Sequence, residues 1–185
     1  SGYAEMLKHG LISNTAHWVE LLNFNTSNID YTALKQLVGQ SVQVKEDIVE
    51  QDPFEHGIRK ALNLGHTVGH AFESMALAED RPVLHGYAVA WGIVCELYLS
   101  HLKVDFPKEK MRQTIQFIKD NYGVFTFDCK KYDQLYAFMT HDKKNTSGTI
   151  NFTLLQDIGD ICINQTADKE TIFEMLDFYR ECMGI

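Results

Sequence analysis

Proline, cysteine and positive charge are all scarce in this chain of 185 residues, and each shortage narrows what the chain can be. The three prolines leave most of the sequence free to form uninterrupted helices. The four cysteines are widely spaced and form no CxxC pair, which excludes the disulfide framework of a small secreted domain and predicts a reducing, cytoplasmic location. The formal net charge of -8 predicts no nucleic-acid partner, because a phosphate backbone is bound by clustered lysine and arginine.

Long hydrophobic runs and glycine-rich nucleotide loops are also missing. The longest apolar stretch, residues 87–99, is interrupted by Glu96 and is shorter than the roughly 20 residues of a membrane span. The first residues show no basic segment followed by an apolar run, so we expect neither a signal peptide nor a membrane partner. There is no GxGxxG motif and no alternation of strands and helices, so a dinucleotide site cannot be built from this chain alone.

What is present is a globular composition with helical periodicity. Hydrophobic residues make up 45% of the chain, which is enough for the core of one domain covering residues 1–185. The pattern predicts a mainly α fold with N-caps at Asn14, Asp30 and Asp168. A β-hairpin is expected over residues 149–165, where β-branched residues flank a DIGD turn. The predicted helices cover residues 2–11, 15–24, 30–50, 56–78, 84–103, 107–121, 131–140 and 168–182.

The segment RKALNLGHTVGHAFE places His66 and His70 four residues apart, each directly after a glycine. Imidazoles at this spacing share one helical face and can converge on one ion or anion, although such pairs are more often ordinary hydrogen-bonded residues. Gly65 and Gly69 each cost a helix about 1 kcal/mol relative to alanine. Something must therefore approach this backbone closely, and a ligand and a packed neighbouring helix both remain open.

Further candidates for a metal site lie on neighbouring predicted helices. His85 stands where a new apolar helix begins, and Glu5 lies one turn before Lys8 near the N-terminus. One carboxylate with two histidines is a set that catalytic zinc uses, since it leaves positions open for substrate oxygens. The alternatives are a surface or capping histidine at position 85 and an i,i+3 salt bridge between Glu5 and Lys8.

A polar stripe runs along the predicted helix 56–78. Arg59, Asn63, His66 and His70 follow one another at spacings of 4, 3 and 4, so they would share one face that either meets water or lines a site. Glu73 continues this face as an orienting partner for a histidine or as a solvated carboxylate. Three lysines complete the candidates, each with an exposed surface position as its alternative: Lys45, Lys143 and Lys144.

Four blocks of sequence, GYAEMLKHGLI, RKALNLGHTVGHAFE, LHGYAVAWG and HDKKNTSGTINFTLL, occur in this order between residues 2 and 155. Together they strongly resemble the C-terminal half of the 3-dehydroquinate synthase family, which belongs to the sugar-phosphate cyclase superfamily. The resemblance implies the multi-helical C-terminal domain of that fold with one small β-hairpin. It also implies that an N-terminal NAD-binding domain is absent from this chain.

The resemblance implies an activity and a role for each candidate residue. Family members convert 3-deoxy-arabino-heptulosonate 7-phosphate to 3-dehydroquinate with loss of phosphate, as NAD- and zinc- or cobalt-dependent lyases of the shikimate pathway, and a homodimer is expected. The implied metal ligands are Glu5, His66 and His85. The implied catalytic residues are His70, Lys8, Lys45, Arg59 and Asn63. The same five are expected to bind the phosphorylated sugar acid together with Lys143 and Lys144.

Two other functions remain open at this stage. One is an enzyme of the same fold with different chemistry, such as another sugar-phosphate cyclase or a metal-dependent polyol dehydrogenase. Lys45 and the lysines of the HDKK block favour an anionic, phosphorylated substrate over a plain polyol. The other is a non-catalytic, metal-binding helical module. We expect the chain by itself to lack turnover, because the chemistry begins with a hydride transfer that a cofactor must accept.

Overall fold

The computed structural model describes residues 1–142 and 148–185, and it confirms the predicted mainly α fold with one small β-hairpin. Short 3-10 helices cover Ile58–Asn63 and Cys129–Lys131. The hairpin consists of β1, Asn151–Asp157, and β2, Asp160–Thr166. The α-helices are α1 Gly2–Ser13, α2 Thr15–Asn23, α3 Tyr31–Gln51, α4 His66–Ala78, α5 His85–Val104, α6 Lys108–Tyr122, α7 Tyr132–Thr140 and α8 Lys169–Met183.

Local capping explains where several of these helices begin. The side chain of Asn14 accepts a hydrogen bond from the backbone N–H of His17 at the start of α2. Asp30 caps α3 and Asp168 caps α8 in the same way. All three caps were predicted from the sequence, because short polar side chains satisfy the N–H groups that a helix leaves unpaired at its first turn.

Helix α5 is the centre of the packing. It is apolar on nearly every face and is therefore buried along most of its length, against α1, α4, α6, α8 and β1. The Trp91 ring of α5 stacks on Phe125 with centroids 5.5 Å apart, which extends the core towards the segment after α6. Within the residues that the structure describes, no helix is long and apolar enough to cross a membrane.

The hairpin supports the segment that leads into α4. The strands β1 and β2 pair antiparallel, and the backbone N–H of Gly159 in their turn donates to the carbonyl of Leu11 in α1 at 2.9 Å. The hydroxyl of Thr153 donates to the carbonyl of Lys60, and that of Thr67 donates to the carbonyl of Asn151. The hairpin thereby ties the 3-10 helix and the first turn of α4 to the rest of the domain.

The predicted helix 56–78 is wrong in its first part. Residues Ile58–Asn63 form a 3-10 helix instead, and α4 begins only at His66. The cause is Asp52, whose carboxylate oxygens accept backbone N–H groups and turn the chain after α3. The three donors, at 3.0, 2.7 and 3.1 Å, are His56, Gly57 and Arg59.

The break before α4 falls at Gly65, and it is caused by the close approach of α5. Gly65 has a φ of 80°, in the left-handed region that favours glycine. A Cβ added at Gly92 would lie 2.0 Å from the carbonyl oxygen of Gly65, and one at Gly69 would lie 3.0 Å from the carbonyl oxygen of Ala88. The glycines of the histidine segment therefore serve helix packing, which was one of the two interpretations that the sequence left open.

Candidate metal centre

The first turns of three helices bring one carboxylate and two imidazoles together. Oε1 of Glu5 in α1 lies 3.3 Å from Nε2 of His66 and 3.6 Å from Nε2 of His85, the first residues of α4 and α5. The N-terminus of α1 rests directly on the start of α5, because the backbone N–H of Gly86 donates to Oγ of Ser1 at 2.9 Å. One donor atom from each of the three side chains lies within 4.8 Å of the others, so the group could hold a metal ion.

Acceptor atoms on the far side of each ring orient both histidines. Nδ1 of His66 lies 3.0 Å from the carbonyl oxygen of Leu64, and Nδ1 of His85 lies 3.1 Å from Oε2 of Glu73. Both neighbours can only accept, so we assign the ring proton to Nδ1 in each case. Each neutral ring then directs Nε2 towards the carboxylate of Glu5, an arrangement that a metal ion between the three donor atoms would satisfy.

Buried charge around Glu5 reinforces this arrangement. Burial by itself raises the pKa of Glu5, but the ammonium of Lys8 lies against the carboxylate and opposes this effect, and the pKa is held well below its usual range. Lys8 is only 4% exposed, so this ion pair is not the solvated i,i+3 pair considered as an alternative. Burial also lowers the pKa of His66, which favours the neutral ring. Among the described residues, Oε1 of Glu5 is buried without a hydrogen-bond partner, and a metal ion would satisfy it.

His70 stands beside this group, one turn further along α4. Its ring centroid lies 5.4 Å from that of His66 and 5.9 Å from that of His85. Its Nδ1 lies 2.9 Å from Oδ2 of Asp142, just after the end of α7. A donor atom of His70 also comes within 4.8 Å of donor atoms of Glu73 and His85. His70 is therefore adjacent to both histidines of the group, and its ion-pair partner among the described residues is Asp142.

An open groove of about 760 Å³ runs from this group between α1 and α3. Glu5 lies in its wall, and the facing wall includes Lys45. The floor contains His9, which is hydrogen-bonded to Ser41 and buried beside Lys8. Lys45 supplies the ammonium group of this lining, and the carboxylates of Glu46 and Glu50 also border the groove.

Comparison with known proteins decides the family. The sequence model of the family described as 3-dehydroquinate synthase C-terminal matches residues 2–145. The chain belongs to the 3-dehydroquinate synthase family. It is 59% identical, over all 185 of its residues, to the 3-dehydroquinate synthase of Parabacteroides distasonis, of which it covers 52%. The 3-dehydroquinate synthase of Leptospira interrogans is 42% identical over 88% of this chain and 46% of that protein. The chain thus spans about half the length of the curated relatives that it matches.

Solved structures show the same fold at lower identity. The 2-epi-5-epi-valiolone synthase of Streptomyces hygroscopicus subsp. jinggangensis 5008, solved with NAD+ and Zn2+ bound, superimposes with a TM-score of 0.79 at 21% identity. It is matched over 97% of this chain and 50% of its own. A 2-deoxy-scyllo-inosose synthase complexed with carbaglucose-6-phosphate, NAD+ and Co2+ gives a TM-score of 0.75 at 21% identity, over the same shares of the two chains. The predicted dehydroquinate synthase-like fold is confirmed.

The structure does not contain the continuous polar stripe that the sequence predicted for Arg59, Asn63, His66 and His70. Because the chain is in a 3-10 helix before Gly65, Arg59 and Asn63 do not continue the face of His66 and His70. The guanidinium of Arg59 donates through Nη1 to the carbonyl of Pro53 at 2.7 Å. The amide of Asn63 donates to Oε1 of Glu55 at 3.1 Å and lines a separate pocket of about 270 Å³.

Two carboxylates of the site were missed or left undecided from the sequence. Asp142 stands in the HDKK block, where the sequence reasoning considered only the lysines, and it is the partner of His70. Glu73 was considered as an orienting partner or a solvated carboxylate, and it lies against His85. The nearby histidines on the same helix indicated that Glu73 could contact one of them. No local sequence pattern indicated that Asp142 contacts His70, which lies 72 positions earlier. Lys143 and Lys144 lie outside the described residues.

Proposed function

We propose that this chain is the metal- and substrate-binding domain of a 3-dehydroquinate synthase, comprising residues 1–185. The complete enzyme would convert 3-deoxy-arabino-heptulosonate 7-phosphate to 3-dehydroquinate with loss of phosphate, as a carbon-oxygen lyase. The observation that carries the proposal is the convergence of Glu5, His66 and His85 in a chain of this family. Relatives of that name at 59% and 42% identity support the choice of substrate.

The three converging side chains fit a zinc or cobalt ion. They supply one carboxylate oxygen and two imidazole nitrogens, the donor set of many catalytic zinc sites, and they leave further positions open. A metal ion bound there would act as a Lewis acid that polarises a substrate oxygen. NAD would be bound mainly by an N-terminal domain that lies outside this chain, in agreement with the NAD+ in the structures of the two cyclases.

The remaining candidates hold the substrate and move its protons. The ammonium of Lys8 pairs with the carboxylate of Glu5 and keeps it ionised. Lys45, on the α3 side of the groove, would bind the carboxylate of the substrate. His70 is oriented through Nδ1, so its Nε2 can accept or relay a proton as the phosphate leaves. The resemblance assigns contact with the hydroxyl and phosphate oxygens to a wider set of side chains, of which Arg59 and Asn63 would have to turn towards the histidines from their present partners. This set comprises Lys8, Arg59, Asn63, His70, Lys143 and Lys144.

Assembly and location follow from the same proposal. The complete enzyme would act as a homodimer in the cytoplasm on a free phosphorylated sugar acid. The chain alone would neither bind NAD tightly nor turn over substrate, because no nucleotide-binding motif occurs in its sequence. A different sugar-phosphate cyclase is the second candidate, favoured by the shared fold with the two synthases described above.

A chimaera tests the proposal directly. This chain would replace the matching half of the Parabacteroides distasonis enzyme, and phosphate release and 3-dehydroquinate would be measured with added zinc and NAD. We expect turnover of the heptulosonate phosphate and none of a hexose phosphate or an unphosphorylated polyol. The matched control is the same chimaera with His66→Ala. Turnover of another sugar phosphate in preference to the heptulosonate would favour the second candidate, and no turnover of any of these substrates by a folded, zinc-loaded chimaera would contradict both.

A further inference from the structure

We propose that Asp142 is a positioning residue that holds His70 in the tautomer its function requires. Oδ2 of Asp142 lies 2.9 Å from Nδ1 of His70, and the contact joins residues 72 positions apart in the sequence. The Asp142 side chain is 10% exposed, whereas that of His70 is 37% exposed. The carboxylate of Asp142 is thus nearly buried, and the imidazole of His70 is partly exposed beside the candidate metal centre.

The chemistry of the pair decides which ring nitrogen carries the proton. An ionised carboxylate only accepts hydrogen bonds, so Nδ1 of His70 must donate. The neutral ring then leaves Nε2, on the opposite edge, as an acceptor. In residues 1–142 and 148–185, no hydrogen bond reaches Nε2 of His70, so this nitrogen is available to a substrate.

The two neighbouring histidines are also oriented through Nδ1, but their Nε2 atoms face a different group. His66 and His85 are also held through Nδ1, but their Nε2 atoms lie 3.3 and 3.6 Å from the carboxylate of Glu5. His70 makes no ion pair with Glu5 within the described part of the chain. Its Nε2 is therefore free for proton transfer, and Asp142 keeps it unprotonated.

Replacing the carboxylate by an amide would release this tautomer. In Asp142→Asn, the amide can accept from Nδ1 through its oxygen or donate to Nδ1 through its nitrogen, so the ring proton is no longer confined to Nδ1 and the accepting form of Nε2 is only partly populated. Side chains that transfer protons typically contribute about 10² to 10⁴ in rate. The effect on turnover rests on the proposed function, whereas the effect on the tautomer does not.

Nitrogen-15 NMR of histidine side chains measures the tautomer in the zinc-loaded chain. At roughly pH 8, above the ordinary histidine pKa, we expect the Nδ1–H form of His70 alone in the unmodified chain and a mixture that includes the Nε2–H form in Asp142→Asn. The spectrum of His70→Gln identifies its signals, and Asp160→Asn, at an exposed turn of the hairpin, is the matched control. An Nε2–H form in the unmodified chain, or the same tautomer in both chains, would overturn the proposal.

Kinetics in the chimaera separate this proposal from the proposed function. We expect Asp142→Asn to lower kcat by roughly 10²-fold or more, with KM and zinc content close to those of the parent. Asp142→Glu, which keeps an accepting carboxylate, should recover the Nδ1–H signal and part of kcat. A changed tautomer with unchanged kcat would support the positioning by Asp142 and contradict proton transfer by His70. Loss of zinc in Asp142→Asn together with an unchanged tautomer would show a merely structural role and overturn the proposal.

Discussion

The substitution Gly92→Ala tests the close contact between α4 and α5 beside the candidate metal centre. The added Cβ would lie 2.0 Å from the carbonyl oxygen of Gly65 and 2.7 Å from the backbone nitrogen of Gly69. Both obstacles are backbone atoms, so no side-chain rotation can relieve the contact. Carbon and oxygen atoms in tight packing approach to about 3.3 Å. Helices α4 and α5 would therefore have to separate by roughly 1.3 Å, the difference between that distance and 2.0 Å.

The expected loss of stability follows from two opposing effects. Overpacking a buried contact costs about 1 to 3 kcal/mol and occasionally more, and a contact between two backbones belongs at the upper end of that range. Alanine is intrinsically better than glycine in a helix by about 1 kcal/mol, which offsets part of the cost. We expect a net loss of about 2 kcal/mol in the free energy of unfolding, measured by urea denaturation of the metal-free chain.

The same substitution should weaken metal binding, because Gly65 directly precedes His66 in α4, and His85 begins α5. Metal sites require ligand distances within about 0.2 Å of their preferred values. We expect zinc affinity, measured by competition with a chelating dye, to fall by roughly 10-fold or more, the scale of a perturbed supporting shell.

Gly39→Ala is the matched control for both measurements. Gly39 lies in α3, and a Cβ there meets nothing within 4 Å. This variant should be more stable by about 0.5 to 1 kcal/mol and should bind zinc normally. If Gly92→Ala matched the parent in both stability and zinc affinity, the close approach of α4 and α5 would be refuted.

Three further predictions concern individual side chains. Glu73→Gln should lower zinc affinity by about 10- to 100-fold in a chelator competition, because an amide no longer fixes the Nδ1–H form of His85. In the chimaera, His66→Ala should lose both bound zinc and turnover, whereas His70→Ala should keep its zinc and lose roughly 10²-fold or more in rate. Urea unfolding of the metal-free chain should show acid sensitivity from His9, whose pKa burial lowers from 6.5 to about 4. The unfolded chain binds the proton first, so stability is complete above about pH 6.5 and falls by about 3 kcal/mol towards pH 4, and His9→Gln should remove this part of the loss.

Each of these predictions has a clear contrary result. Unchanged zinc affinity in Glu73→Gln would mean that Glu73 does not orient its neighbour. Equal loss of zinc in His66→Ala and His70→Ala would show that the roles of the two histidines are wrongly divided. An identical decrease in stability between about pH 6.5 and 4 in the parent and in His9→Gln would assign the acid sensitivity to other groups, such as His17, whose pKa burial also lowers.

Local signals in the sequence determined most of the helices and the hairpin. Apart from the 56–78 segment, each predicted helix agrees with an observed helix to within two residues at either end. Periodicity and capping act over one or two turns, so they can be read without knowing the fold. The family was also recognisable from sequence, because its four blocks keep their order along the chain.

The tertiary structure decided where the break directly before His66 falls. Asp52 turns the chain at the start of the segment before His66, but the position of the break at Gly65 depends on another helix. The break arises because Gly92, 27 positions beyond Gly65, brings a second backbone into contact with it. The positions of Arg59 and Asn63 depend on the same break, so their predicted alignment with the histidines was lost with it.

The pairing of side chains within the site was likewise beyond the sequence. Twelve positions separate Glu73 from His85, and 72 separate Asp142 from His70. Spacing along one helix predicts which residues share a face, but it contains no information about which atom of another helix will face them. The residue types needed for a metal centre could therefore be read from the chain. The orientation of His70 and His85 was decided only when α4 packed against α5 and the end of α7 packed against α4.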